Sequence, residues 1–247
     1  MKLLRSLFTT ALIVLPVIAF AQTAPDTLWT RTYRGDSDDT ASQVIQTSDG
    51  GYAIAGVTAS FGVSGNDVYL IRTNADGDTI YTRTYGGIGY QGARSIVETP
   101  DHGFLIDGDT DQFPGGVTGP YLIRTNASGD TLWTRTYGNP QSGWLSSACA
   151  AHGGGYVLCG QLNGYSHVVK IDESGNTVWA RYYGGGGHAW QVKPASDGGY
   201  VVTGQAGYPD LAPESCTTLL IRDWYIRDGG LDPWQTLSTR QNRLYRC

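Results

Sequence analysis

The chain is short of the residues from which surface helices are built. Of its 247 residues, one is Met, three are Lys and three are Glu, and only 16% are charged. Those straight-chain side chains lose little freedom in a helix, so their scarcity argues against helical architecture. Cysteine is also sparse: four residues, with no CxxC pair and no His at zinc-like spacing, which leaves no structural zinc motif. Lysine scarcity goes with a net charge of −5, the wrong sign for DNA, RNA or anionic membrane surfaces. Beyond the first 21 residues no apolar run approaches transmembrane length, so no membrane insertion is expected.

What the chain has instead is 35 Gly, 16 Tyr, 7 Trp and 19 Asp. Tyr, Trp, Thr and Val favour strands, and Asp and Gly favour turns. The first 21 residues stand apart. "MKLLR" is a basic start, "SLFTTALIVLPVIAF" an apolar core, and Ala19–Ala21 a small-x-small cleavage pattern. This reads as a secretory signal, so the expected location is secreted, periplasmic or at the cell surface. Cleavage would remove Lys2 and Arg5 and take the formal charge from −5 to −7.

From residue 22 to 222 four segment types recur in fixed order. Segment d ends a strand: "LWTRTYR" (28–34), "IYTRTYG" (80–86), "LWTRTYG" (132–138), "VWARYYG" (178–184). Segment a precedes a tight turn: "ASQVIQT", "ARSIVET", "LSSACAA", "AWQVKPA". Segment b follows it: "GYAIAG", "GFLIDG", "GYVLCG", "GYVVTG". Segment c is "VYLIRTN", "PYLIRTN", "HVVKID" and "TLLIRD" (218–223). Tyr52, Phe104, Tyr156 and Tyr200 lie 52, 52 and 44 residues apart. Four strands per period of this length predict an all-β chain of four-stranded antiparallel propeller blades. One such sheet cannot bury both faces, but sheets stacked side by side cover each other. The Gly at 56, 108, 160 and 204 predicts a place where another backbone comes close.

The chain opens with d and its last recognisable element is c. Strand 26–33 is therefore expected to complete the last of four blades and latch the ring; the alternative is a fragment of a larger propeller. Residues 223–247, "WYIRDGG…", abandon the repeat grammar. They read either as a shifted frame or truncation, or as an extension with a degenerate d strand.

With "DGGY…AG…VYLIRTNADGDT-YTRTYGG" on the page, the chain resembles the secreted bacterial β-propeller repeat proteins over about residues 26–222. The resemblance implies the propeller architecture and names no activity.

Few constellations suggest chemistry. The c–d turns are similar to the Asp-box of sialidases, but with the Asp beside the Gly and the aromatic one residue late. Arginines at repeated positions (Arg31, Arg72, Arg83, Arg124, Arg135) imply a structural task rather than a catalytic cluster. Asp107, Asp109 and Asp111 alternate as calcium ligands do, without the Gly and bidentate Glu of a complete loop. No nucleophile elbow is present. Cys149 and Cys159 share a face, and are a candidate disulfide, if the turn between their strands has three or five residues. The b–c and d–a loops vary between repeats and carry aromatics: Phe61, Tyr90, Phe113, Trp144, Tyr165, Trp190 and Tyr208. Differing aromatics above a rigid ring suit a ligand face. The expected function is a monomeric, exported, non-catalytic scaffold for a glycan or protein ligand. The alternatives are a glycan-acting enzyme, sialidase- or hydrolase-like, and an inactive fragment of a larger protein.

Overall fold

The computed structural model describes residues 26–112, 116–137 and 143–205. The expected signal segment 1–21, Phe113, Tyr208, the last c segment and the tail 223–247 lie outside the described residues. The chain divides at Thr30 into two compact parts. In the first, the described residues Asp26–Thr30 carry no strand.

The second part is all-β, with no helix among the described residues. The first repeat comprises β1 (Asp39–Gln46), β2 (Tyr52–Thr58), β3 (Ser64–Thr73) and β4 (Thr79–Tyr85). The second comprises β5 (Ile88–Glu98), β6 (Phe104–Thr110), β7 (Gly119–Thr125) and β8 (Thr131–Thr136). The third comprises β9 (Gly143–Ala150), β10 (Tyr156–Leu162), β11 (Tyr165–Ile171) and β12 (Thr177–Gly185). Of the fourth, β13 (His188–Pro194) and β14 (Tyr200–Gln205) are described. Each of the first three repeats is an antiparallel meander in the order a-b-c-d, and in the fourth β13 pairs antiparallel with β14. A short parallel bridge, Ser64–Asn66 with Ile88–Tyr90, joins the first two into one sheet.

The turns follow from their side chains. In the c–d turn Asn74 Oδ1 accepts the backbone N–H groups of Asp76 and Asp78, and Asn126 and Asp172 repeat the pattern. Gly77, Gly129 and Gly175 complete these turns at φ of 79–81°, a conformation that glycine adopts without strain. In the a–b turn, the Thr99 hydroxyl and an Arg124 Nη2 both donate to Asp101 Oδ1, at 2.6 Å each. Burial opposes ionisation of this carboxyl, but those bonds and the arginine's charge hold it down at about 2. Arg72 serves Asp49 in the same way. In the first two repeats the c-strand arginines Arg72 and Arg124 are thus clamps on the a–b turn of their own repeat.

Strands β3, β6, β7 and β10 are buried on both faces over most of their length, whereas β4 and β8 are largely exposed and leave Ile80 and Leu132 in solvent. Three apolar seams join successive repeats. Ala53, Ala55, Val68 and Leu70 meet Ile96, Phe104, Ile106 and Ile123 in the first. Leu105 and Leu122 meet Leu145, Tyr156, Leu158 and Ile171 in the second. Cys149, Val157, Cys159 and Val168 meet Ala189, Val192, Tyr200 and Val202 in the third. Burying one of the rings at Phe104, Tyr156 or Tyr200 contributes roughly 3 kcal/mol as an upper estimate.

Polar struts repeat beside the seams. The Tyr85 hydroxyl donates to the Gly129 carbonyl at 2.7 Å, and Tyr137 to Gly175 at 2.5 Å. The Tyr33 hydroxyl donates to Gly77 in the same manner at 2.6 Å, and Arg31 pairs with Asp78 as Arg83 does with Asp130. Residues 31–33 therefore occupy the place of a d strand in front of the first repeat. No strand is described at 26–33, whose expected partner, the last c segment, lies outside the described residues.

Along the inner strands, Gln43 Oε1 accepts the Ile96 N–H, the Ser95 hydroxyl oxygen accepts the Ala148 N–H, and Ser147 Oγ accepts the Val192 N–H. The a strands of successive repeats lie against one another. The described sheets do not close on themselves: Val44 is 58% exposed, while its counterparts Ile96 and Val192 are 1% and 0% exposed.

Candidate functional site

Every a strand carries one extra residue. The register slips between Ala41 and Gln43, between Ala93 and Ser95, between Leu145 and Ser147, and between Ala189 and Gln191. The residues left over are Ser42, Arg94, Ser146 and Trp190. The recurring b-strand glycines explain the slip. A Cβ at Gly56, Gly108, Gly160 or Gly204 would lie 1.7–2.3 Å from the carbonyl oxygen of Thr40, Gly92, Trp144 or His188. Only glycine lets the bulged backbone fold over it, so the close approach expected from sequence is confirmed at all four positions. A bulge re-aims side chains locally. Here the residue before the bulge is small or apolar (Ala41, Ala93, Leu145, Ala189), and so is the one two positions after it (Val44, Ile96, Ala148, Val192). The bulged residue is Ser in two repeats, Arg in one and Trp in one.

The bulges of repeats two, three and four bring side chains into one contiguous group. Arg94 Nε donates to Asp109 Oδ1 at 2.6 Å. Its guanidinium stands 5.8 Å from the centre of the Trp144 ring. Trp144 Nε1 donates to His188 Nε2 at 3.0 Å, and the Ser146 hydroxyl lies 2.9 Å from the same nitrogen. The imidazole stacks on Trp190 with centres 3.8 Å apart and planes at 22°. Burial, then the nearby Arg94 charge, lowers the His188 pKa. A neutral imidazole with a bare Nε2 is what two converging donors require. Tyr90 flanks the group, its hydroxyl over Gly92 where a Cβ would lie 2.4 Å away. Burial, then the Asp109 charge, raises the Tyr90 pKa. Trp190 remains 53% exposed.

Of the aromatics singled out from sequence, the structure links Trp144 and Trp190 through His188 and sets Tyr90 beside Arg94 and Asp109. Phe61 packs on Tyr69 with centres 5.3 Å apart, and Tyr165 is exposed at the start of β11, both apart from the group. The sequence reading missed Arg94, Ser146 and His188. Aligning the four a segments exposes Arg94 and Ser146, since positions 42, 94, 146 and 190 change while the apolar positions 44, 96, 148 and 192 keep their character; His188 precedes its a segment and carries no such signal.

Asp107, Asp109 and Asp111 take separate partners: Ser95 for Asp107, Arg94 for Asp109 and the Gln112 amide for Asp111. Among the described residues no group of three or more His, Cys, Asp or Glu is placed to hold a metal. Asp107 is sealed at 1% exposure, with its Oδ1 unpaired, and burial pushes its carboxyl up to about 7 despite the Ser95 bond. The turn between β9 and β10 has five residues and puts Cys149 and Cys159 on one face. They are nevertheless two positions out of register, Cys149 opposite Val157 and Cys159 opposite Ser147, and both are free thiols. The suggested disulfide is therefore absent: diagonal neighbours sit beyond the span of an S–S bond. Burial pushes the Cys149 thiol up to about 11, which makes it unreactive.

No protein-family model matches the chain, and no curated protein matches it. Among solved structures it is similar to a protein of unknown function from Bacteroides caccae, with a TM-score of 0.47 and 12% identity. The match covers 78% of this chain, and the chain spans 62% of the length of that protein.

Proposed function

We propose that the chain is an exported, non-catalytic β-propeller scaffold whose bulge residues bind a glycan or protein ligand. The observation that carries this reading is that the bulge residues Arg94, Ser146 and Trp190 gather with Trp144 and His188 into one partly exposed surface. Four repeats form the ring, and residues 31–33, docked as a d strand on the first repeat, complete the last one. A fragment of a larger propeller is the alternative assembly.

A glycan-acting enzyme would need an accessible acid. Asp107 has the raised pKa of one but is enclosed between Ser95 and the third repeat, and Asp109 is tied to Arg94. The scaffold reading therefore stands ahead of it. Screening the purified chain against glycan and protein panels tests it. Binding that disappears in Trp190→Ala, with an unchanged melting temperature and no product released from bound glycans, is the expected result. Turnover of any bound glycan would replace the scaffold with an enzyme.

A further inference from the structure

The bulge surface carries enough chemistry to narrow its ligand, on the premise that it is the binding site. Trp190 has one ring face against His188 and is 53% exposed, which leaves a flat apolar face toward solvent. Such a face suits the C–H side of a sugar ring as well as it suits another aromatic. Arg94 is 44% exposed, while its partner Asp109 is buried at 6%. The pair has no net charge, and the half-exposed guanidinium keeps its Nη N–H groups beyond the Nε bond to Asp109. Ser146 adds a hydroxyl oxygen, 2.9 Å from His188, that can accept. Donor and acceptor beside a flat apolar face, with no unbalanced charge, match a ring of hydroxyl groups.

Two competing ligand classes fit less well. A polyanion would meet a chain of net charge −5 and an arginine already neutralised by Asp109. An extended peptide would bind by adding to an exposed strand edge. Each inner strand is broken by its bulge at the positions where such pairing would run.

We infer that the surface formed by Arg94, Trp144, Ser146, His188 and Trp190 binds the uncharged pyranose rings of a neutral glycan, with Trp190 as the stacking platform and Arg94 as the hydroxyl donor. The test titrates the full chain with neutral oligosaccharides (cellohexaose, xylohexaose, mannohexaose and chitohexaose), with polygalacturonate and with unfolded casein. At least one neutral hexaose binds. Trp190→Ala weakens it by about tenfold or more, and Trp190→Phe, which keeps a flat ring, by only about threefold. If polygalacturonate or casein binds and no neutral hexaose does, and Trp190→Ala removes that binding, the sugar assignment is overturned while the site stands. If no probe binds, or binding survives Trp190→Ala, the sugar assignment and the site both fall.

Discussion

At the scale of single residues, two buried titrating groups pull stability in opposite directions. Burial pushes the Asp107 carboxyl up to about 7 from 3.8. Between those values the native state keeps a proton that the unfolded chain has lost, so stability falls as pH rises. Burial pushes His167 down to about 4 from 6.5. Between those values the unfolded chain holds the extra proton, so stability rises with pH. The two slopes oppose each other from about pH 4 to 6.5. Asp107→Asn removes the falling slope. It should leave a chain whose urea midpoint climbs with pH up to about 6.5, and gain at most about 4 kcal/mol above pH 7. Unchanged pH dependence in Asp107→Asn would show that this carboxyl is not held neutral. Neither group was legible in the sequence. Asp107 looked like a loop ligand because alternation on a strand and alternation in a calcium loop read alike, and only the neighbouring repeat shows that it is enclosed.

At the scale of elements, the bulge and its glycine act as one device. A Cβ at Gly108 would lie 1.7 Å from the Gly92 oxygen and 3.0 Å from Ala93 Cα, both backbone atoms that cannot swing aside. Gly108→Ala should cost about 2–4 kcal/mol and displace Arg94. Gly87→Ala, where nothing lies within 4 Å, should be neutral. Thermal melts of the two variants check this, and equal melting temperatures would contradict it. The strands themselves were readable: all fourteen described strands fall on the a, b, c and d segments, because turn residues and strand formers alternate without conflict. The bulges were not. An inserted residue leaves the local pattern intact, and its trace was the invariant glycine on the strand opposite. The free thiols follow from where the turn sits. A five-residue turn at 151–155 sets Cys149 opposite Val157 and Cys159 opposite Ser147 with no bulge between, and the sequence left the turn's length open.

At the scale of the molecule, the seams show why the four-segment repeat recurs. Phe104, Tyr156 and Tyr200 are buried only because a preceding repeat supplies the other side. Val44 and Ala41 are exposed because the first repeat has no such neighbour among the described residues. Ring closure was an inference from counting segments, and contacts support it through Tyr33 and Arg31 alone. A closed ring would set all four bulges around one axis, and it would supply Val44 with the acceptor that Gln43, Ser95 and Ser147 give the other repeats. By position that acceptor is Gln191. Amide hydrogen exchange at Val44 measures closure directly. The account predicts protection comparable to Ile96, Ala148 and Val192, lost at Val44 alone in Gln191→Ala. A Val44 amide that exchanges freely while the other three stay protected would contradict a closed four-repeat ring.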